Sequence, residues 1–294
     1  MKLYFMLVRR SPPVPSPVLS EVYEILGQRG YRIAIGIPEE MVIQHEFLNV
    51  RHDLYILKSH TELSLSLAGI LDAQGARLLN PYLCCLTTQN KIVTSQRLRA
   101  AGVPTPRCWV TGELTRLRSI AEMGPLIIKP YLGHRGTGIH IVHHPDELAA
   151  VPPPERPVLI QEYVKGPGED LKVYVVGDNV FAVRKPFSAE SFAIAGRPCA
   201  VSAEVRDIAL RCGQALGLGL YGLDVIESSK GPVVVDLNFF PGYKGVPNAA
   251  AFIAEYIDDY ARGRVHLKLP KPALPLNLNR EQHERAHAKQ TTPA

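Results

Sequence analysis

Nothing in this chain comes near the roughly eighteen consecutive apolar residues of a membrane-spanning helix. No block of about five or six like charges occurs either, so an arm for nucleic acid or a membrane surface is not expected. The formal net charge of +5 is a mild surplus that suits an anionic ligand. A secretory leader is not expected, because Lys2 to Val8 is too short for its apolar core and runs into Arg9 and Arg10. Cysteine is scarce: Cys84, Cys85, Cys108, Cys199 and Cys212 are odd in number and have no C-x-x-C spacing. That pattern argues against a zinc site or a disulfide frame and points to reduced thiols in a cytoplasmic protein.

Familiar catalytic signatures are missing too. There is no G-x-x-x-x-G-K-[ST] phosphate loop, no G-x-S-x-G nucleophile elbow and no H-E-x-x-H spacing among the ten histidines. His283 and His287 lie four apart near the chain end and read as solvated. Gly217 to Gly222 matches G-x-G-x-x-G, but it follows a predicted helix and opens a predicted strand, the reverse of a dinucleotide fold, so the match is rejected.

What is present centres on Tyr221 to Tyr243, YGLDVIESSKGPVVVDLNFFPGY. Two apolar, β-rich runs flank a turn at Ser228–Gly231. Each run carries one acid, Asp224 and Asp236, with Asn238 two residues later on the face of Asp236. A turn centred near Ser229 and Lys230 puts Asp224 roughly opposite Asp236. Two carboxylates close together in valine-rich strands cost several kcal/mol unless a cation joins them. Oxygen ligands without Cys or His suit magnesium, which keeps waters and shares its shell with phosphates. The alternative is that the acids cap loops or pair with Arg and Lys.

With 294 residues, 46% of them hydrophobic, the chain can bury a substantial core in two or three lobes. Strands at Lys2–Val8, Tyr31–Ile37, Asp53–Leu57 and Ala76–Leu79 alternate with helices from about Ser16 or Ser20 to Gln28 and from about Thr61 to Gln74, which predicts an open α/β sheet. Ligands of such sheets sit beyond the carboxyl ends of strands, where Arg9, Arg10 and Lys58 fall; they either hold an anionic substrate or are solvated loop charges. Asn80-Pro81 opens a linker, and Thr87 or Thr88 is the expected N-cap of a helix to Ala101, which stops at Gly102. Pro125–Lys129 and Ile139–His143 frame the glycine-rich turn Gly133–Gly138, which either approaches phosphate through backbone N–H groups or is an ordinary hairpin loop. Val158–Val164, Asp170–Val176 and Val180–Lys185 read as an antiparallel meander. Lys172 lies among its apolar residues and, if inward-facing, needs an anion. Helices follow at Ala203–Leu216 and Val246–Ala261, and the chain from His266 reads as a partly disordered tail.

Taken in order, Lys91, Lys129, a glycine-rich hairpin, Gln161-Glu162-Tyr163-Val164, Lys172, Asp224, Asp236 and Asn238 resemble the ATP-grasp superfamily from about Leu3 to Ile257. The resemblance implies an α/β protein of three lobes: an N-terminal α/β substrate lobe (1–86), a central lobe (87–157) and a C-terminal lobe with the magnesium site (158–265). The two antiparallel-sheet lobes would clasp ATP, and 266–294 would form a tail. Lys91 and Lys129 would face the phosphates, with Gly136 in the loop above them. Gln161, Glu162, Tyr163 and Val164 would form the adenine hinge, with Glu162 or Glu169 near the ribose. Asp224, Asp236 and Asn238 would hold magnesium, with manganese as a substitute. Lys129 and Lys172 would be the catalytic cations.

Two subfamilies share parts of the pattern. The RimK-type carboxylate–amine ligases share Asn80, Lys91, GVPTP at Gly102–Pro106 and the Asp170–Gly177 strand. Their usual Glu is Asp236 here, and their Arg-x-Asn element is not visible in Pro186–Pro198. The inositol polyphosphate kinases share DLNFFPGYKGV (Asp236–Val246), the D-x-x-I-x-K strand end at Asp53–Lys58, and His134. Either resemblance places Arg9, Lys58, His134, Arg135, Lys185 and Gly242 around an anionic small-molecule or peptide substrate, with no nucleic-acid or membrane partner. The reaction is then amide formation through an acyl phosphate, or phosphorylation of a hydroxyl. A non-catalytic nucleotide-binding protein is the third reading.

Overall fold

The computed structural model describes residues 1–10, 14, 16–133, 138–186 and 195–270. The chain opens with β1 (Lys2–Met6), α1 (Pro17–Gln28), β2 (Arg32–Gly36), β3 (Leu54–Leu57), α2 (Glu62–Ala73) and β4 (Leu78–Leu79). The strands form a parallel sheet in the order β2-β1-β3-β4. All four residues of β3 are buried, as a central parallel strand covered on both faces requires. Proline begins α1, where its missing N–H costs nothing, and Gly30 at φ 84° follows its end. Thr61 caps α2 by accepting from the Ser64 amide.

The single helix expected from Thr87 or Thr88 to Ala101 is instead two, α3 (Tyr82–Gln89) and α4 (Lys91–Ala100). Asn90 breaks them: its Oδ1 accepts from the amides of Ile92 and Val93 at 3.0 and 3.2 Å, making Asn90, not either threonine, the cap. The cap places Lys91 at the first turn of α4.

The next sheet contains β5 (Cys108–Thr111), β6 (Leu126–Pro130), β7 (His140–Val142) and β8 (Val158–Glu162), with the short helix α5 (Arg118–Ala121) between β5 and β6. Its order is β5-β8-β6-β7, all antiparallel. Of the meander expected from Val158 onward, only the Asp170–Val176 and Val180–Lys185 strands pair antiparallel as expected, while Val158–Glu162 joins this middle sheet instead. Val158 to Gln161 are all buried, and the strand finds that cover between β5 and β6. The third sheet runs β11-β10-β9-β12-β13, built from β9 (Glu169–Val176), β10 (Asn179–Pro186), β11 (Arg197–Cys199), β12 (Leu220–Ser228) and β13 (Gly231–Phe239). The three-residue β11 was not expected from the sequence; with Pro198 at its centre, it sits at the sheet edge, the place a proline tolerates. Helices α6 (Ala203–Leu216) and α7 (Ala249–Ala261) complete the fold, and Gly217 at φ 69° ends α6 as its C-cap.

One large core joins the parallel sheet to the third sheet, whereas Leu117, Leu126, Ile128, Val142 and Ile160 belong to a separate small core under the middle sheet. Buried polar groups stitch the larger unit. Asn80 Oδ1 accepts from the amides of Gly219 and Leu220, and its Nδ2 donates to Leu220 O. Asp258 on α7 accepts from Tyr31 Oη at 2.6 Å and Arg262 Nε at 2.7 Å, and also pairs with Arg264. Burial opposes its ionisation, but those donors prevail and hold the carboxyl at about 2. No helix among the described residues is long and apolar enough to cross a membrane.

Candidate active site

The centre of the third sheet carries a row of charges where valines would otherwise continue. In the β12–β13 hairpin, Ile226 pairs with Val233 and Val225 with Val234, but Asp224 pairs with Asp236. Val235 is therefore an extra residue, a β-bulge. Without that one-residue slip Asp224 would oppose Val235 and the two acids would lie on different faces. Asp224 also pairs with Lys172 on β9, so Asp236, Asp224 and Lys172 form one line across the sheet face. Lys172 Nζ lies 2.8 Å from Asp224 Oδ2 and 3.4 Å from Asp170 Oδ2.

Two further lysines arrive from the other side of the cleft. Lys91, at the start of α4, reaches Asp236 Oδ1 at 2.5 Å. Lys129, 7% exposed near the end of β6, donates to Val235 O at 3.2 Å, the carbonyl of the bulged residue. Asn238 Nδ2 lies 3.3 Å from Asp236 Oδ2. Burial pushes the Asp236 carboxyl up, yet Lys91 and Lys129 outweigh it and hold it below its ordinary value. Burial also pushes Lys129 down, against the pull of Asp236. Lys172 goes the other way: burial would lower it, but Asp224 and Asp170 raise it.

Asp170, raised mainly by burial, was missing from the residues expected at the site. The signal was available, because it lies two residues before Lys172 on one strand and so shares its face. It pairs with Lys185, bringing that lysine to the same face. Lys185 is 3% exposed, and burial together with Lys172 and Lys244 lowers its pKa.

A narrow cleft between α4, the middle sheet and β13 is lined by Lys91, Lys129, Gln161 and Asp236, among others. Gln161 is 5% exposed, and its side-chain oxygen has no hydrogen-bond partner among the described residues. A buried unpaired acceptor is rare in a finished core. Next to it, the amides of Glu162 and Tyr163 are engaged by Arg107 O and Pro125 O. Glu162 pairs with Arg107 at 2.9 Å, and Glu169 lies 3.6 Å from Arg197. Tyr163 and Val164 are half-buried beyond the strand end.

Two expected substrate contacts have other partners. Arg9 pairs with Glu40 at 2.9 Å, both well exposed. Lys58 does not stand as a free anion-holding charge: its ammonium donates to Phe240 O and Pro241 O, because β3 ends directly against that turn. Gly242 is exposed in the same turn. His134, Arg135 and Gly136 lie outside the described residues.

Among the described residues no group of three or more His, Cys, Asp or Glu side chains forms a metal cage. Asp224, Asp236 and Asn238 offer instead two carboxylates and one amide on a single open face. That incomplete, all-oxygen set suits magnesium, which leaves positions for water and phosphate oxygens, so the residues fit the metal.

The family model described as "RimK-like ATP-grasp domain" matches residues 88–257, more than half of the chain. A "Probable alpha-L-glutamate ligase" of Saccharophagus degradans is 28% identical over 211 residues, 65% of this chain and 70% of that protein. The solved RimK domain protein ATP-grasp from Sphaerobacter thermophilus superimposes with a TM-score of 0.71 at 19% identity, over 87% of this chain and 99% of that one. The ATP-grasp ligase PsnB, complexed with minimal precursor, Mg and ADP, gives 0.62 at 20% identity, over 87% and 97%.

Proposed function

Because the chain belongs to the RimK-like ATP-grasp family, we propose that it is a carboxylate–amine ligase that activates an acidic substrate with ATP. The observation that carries this reading is the line Asp236–Asp224–Lys172 with Lys91 and Lys129 closing over it, three cations around two carboxylates. Asp224, Asp236 and Asn238 would hold magnesium, which when bound supplies charge neutralisation to the triphosphate. Lys91 and Lys129 turn toward the nucleotide phosphates once those bring competing negative charge. Lys172, tethered by Asp170 and Asp224, sits where charge develops on the transferred phosphoryl group.

A substrate carboxylate oxygen attacks the γ-phosphorus, ADP leaves, and an acyl phosphate remains. An amine then attacks the carbonyl carbon, phosphate departs with the former carboxylate oxygen, and the amine nitrogen loses a proton. No strong protein base is needed, because the steps depend on position and electrostatics. Lys185, with Lys172 and Lys244 close to it, makes the acceptor side cationic, matching an acidic small molecule or peptide and an amine as acidic as glutamate. The hydroxyl-kinase alternative loses a support, since the lysine of its D-x-x-I-x-K element is engaged by backbone carbonyls. The five free cysteines suit a reducing cytoplasm.

Hydroxylamine separates the two chemistries, because it captures acyl phosphates as hydroxamates and leaves phosphorylated alcohols untouched. With a panel of carboxylates, ATP and magnesium, hydroxamate is expected to accumulate in step with ADP. ADP release with inositol phosphates and no hydroxamate from any acid would overturn the ligase reading.

A further inference from the structure

The end of β3 reaches across the larger core to the turn that follows Asn238. Lys58 Nζ donates to Phe240 O at 2.7 Å and to Pro241 O at 3.1 Å, and stands 4.9 Å from the Phe240 ring centroid. Two residues on, the His60 ring stacks on Phe239 with centroids 3.9 Å apart and planes inclined by 19°. Two successive carbonyl dipoles aimed at one point repel each other unless a donor or cation stands between them.

The turn needs such a hold. Phe240 and Tyr243 adopt φ of 34° and 51°, the left-handed region that side-chain-bearing residues avoid. Such backbone persists only where its surroundings fix it. The Phe240 amide donates to Leu220 O and Tyr243 Oη donates to Val175 O, both from the third sheet. Lys58 adds side-chain hydrogen bonds to this turn from the parallel-sheet lobe, and burial pushes its ammonium down to about 7, with Arg10 adding to the effect.

We propose that Lys58 is a positioning residue, a latch from the parallel-sheet lobe that fixes the Phe239–Tyr243 turn and, through it, Asn238 at the metal side of the cleft. The proposal rests on the ligase reading for what this geometry serves; the latch itself is tested separately.

The test uses the full chain, with Lys58→Met, which keeps most of the unbranched apolar stem and removes the donors, and Lys58→Arg, which restores donors. MgADP is the ligand. In Lys58→Met, ADP binding without magnesium stays within about twofold of wild type, while the magnesium concentration that half-maximally tightens ADP binding rises about tenfold, as when a metal ligand loses its support. Amide hydrogen exchange across residues 239–245 accelerates about tenfold or more, while Leu54–Leu57 stays protected. Lys58→Arg returns both quantities most of the way. A magnesium midpoint and an exchange rate within about twofold of wild type in Lys58→Met would overturn the latch. If that variant does not fold, Lys58→Ala, which also removes the donors and leaves room for water at the two carbonyls, is judged on the same two quantities. Wild-type protein that does not bind MgADP would refute the nucleotide reading, and the exchange measurement would still decide the latch.

Discussion

Asp236→Asn is expected to lower magnesium-dependent ATP turnover by about 10²-fold or more. The substitution keeps the side chain's shape and an acceptor for Lys91, so the bulged hairpin and its register stay in place. What disappears is the charge. Asp236 is the carboxylate that two lysines hold ionised against the cost of burial, and it lies directly opposite Asp224. Losing it halves the anionic donors available to magnesium. Lys91 and Lys129, released from their counter-charge, turn to the nucleotide phosphates instead. ATP affinity should therefore hold or rise while kcat collapses, which distinguishes loss of metal from loss of fold. Steady-state ADP release and a nucleotide titration measure the two halves. Turnover within about fivefold of wild type would remove Asp236 from the metal site.

Lys129→Met is expected to cost about 10²-fold in kcat/KM for ATP. This lysine is 7% exposed, and burial works against its charge, so the site retains an ammonium at a real energetic cost. Methionine fills similar volume but cannot bond Val235 O, leaving the bulged carbonyl to water at about 1 kcal/mol. A small shift in the denaturant midpoint beside a large loss of activity is thus the signature. Equal losses in both would make the residue structural.

Much of this was legible in the chain because the same local rules that build strands also place charges. Period-two alternation put Asp236 and Asn238 on one face and would have added Asp170 to Lys172 had it been applied there. The break at Asn90 was legible in principle, since asparagine caps as well as threonine, but the two threonines upstream competed for the assignment. The bulge was not legible. An unbroken hairpin centred on Ser229 and Lys230 brings Asp224 only near Asp236, and the slip at Val235 that puts them side by side is a tertiary choice, answered by Lys129 from another sheet. Strand partnership was hidden for a similar reason. Val158–Glu162 looks like the first strand of a meander, and only the space between β5 and β6 explains why it goes elsewhere. Lys58 shows the limit of reading charge as function: a lysine at the carboxyl end of a strand suggested an anion, and the fold supplied two carbonyls.

The most direct measurement follows oxygen. A carboxylate substrate found with hydroxylamine is labelled with ¹⁸O in both carboxyl oxygens and turned over with ATP, magnesium and its amine. Inorganic phosphate carrying one ¹⁸O atom per amide formed is expected, because the oxygen that attacked phosphorus leaves with it. Phosphate free of label, with amide still produced, would contradict an acyl phosphate and with it the proposed chemistry of the site.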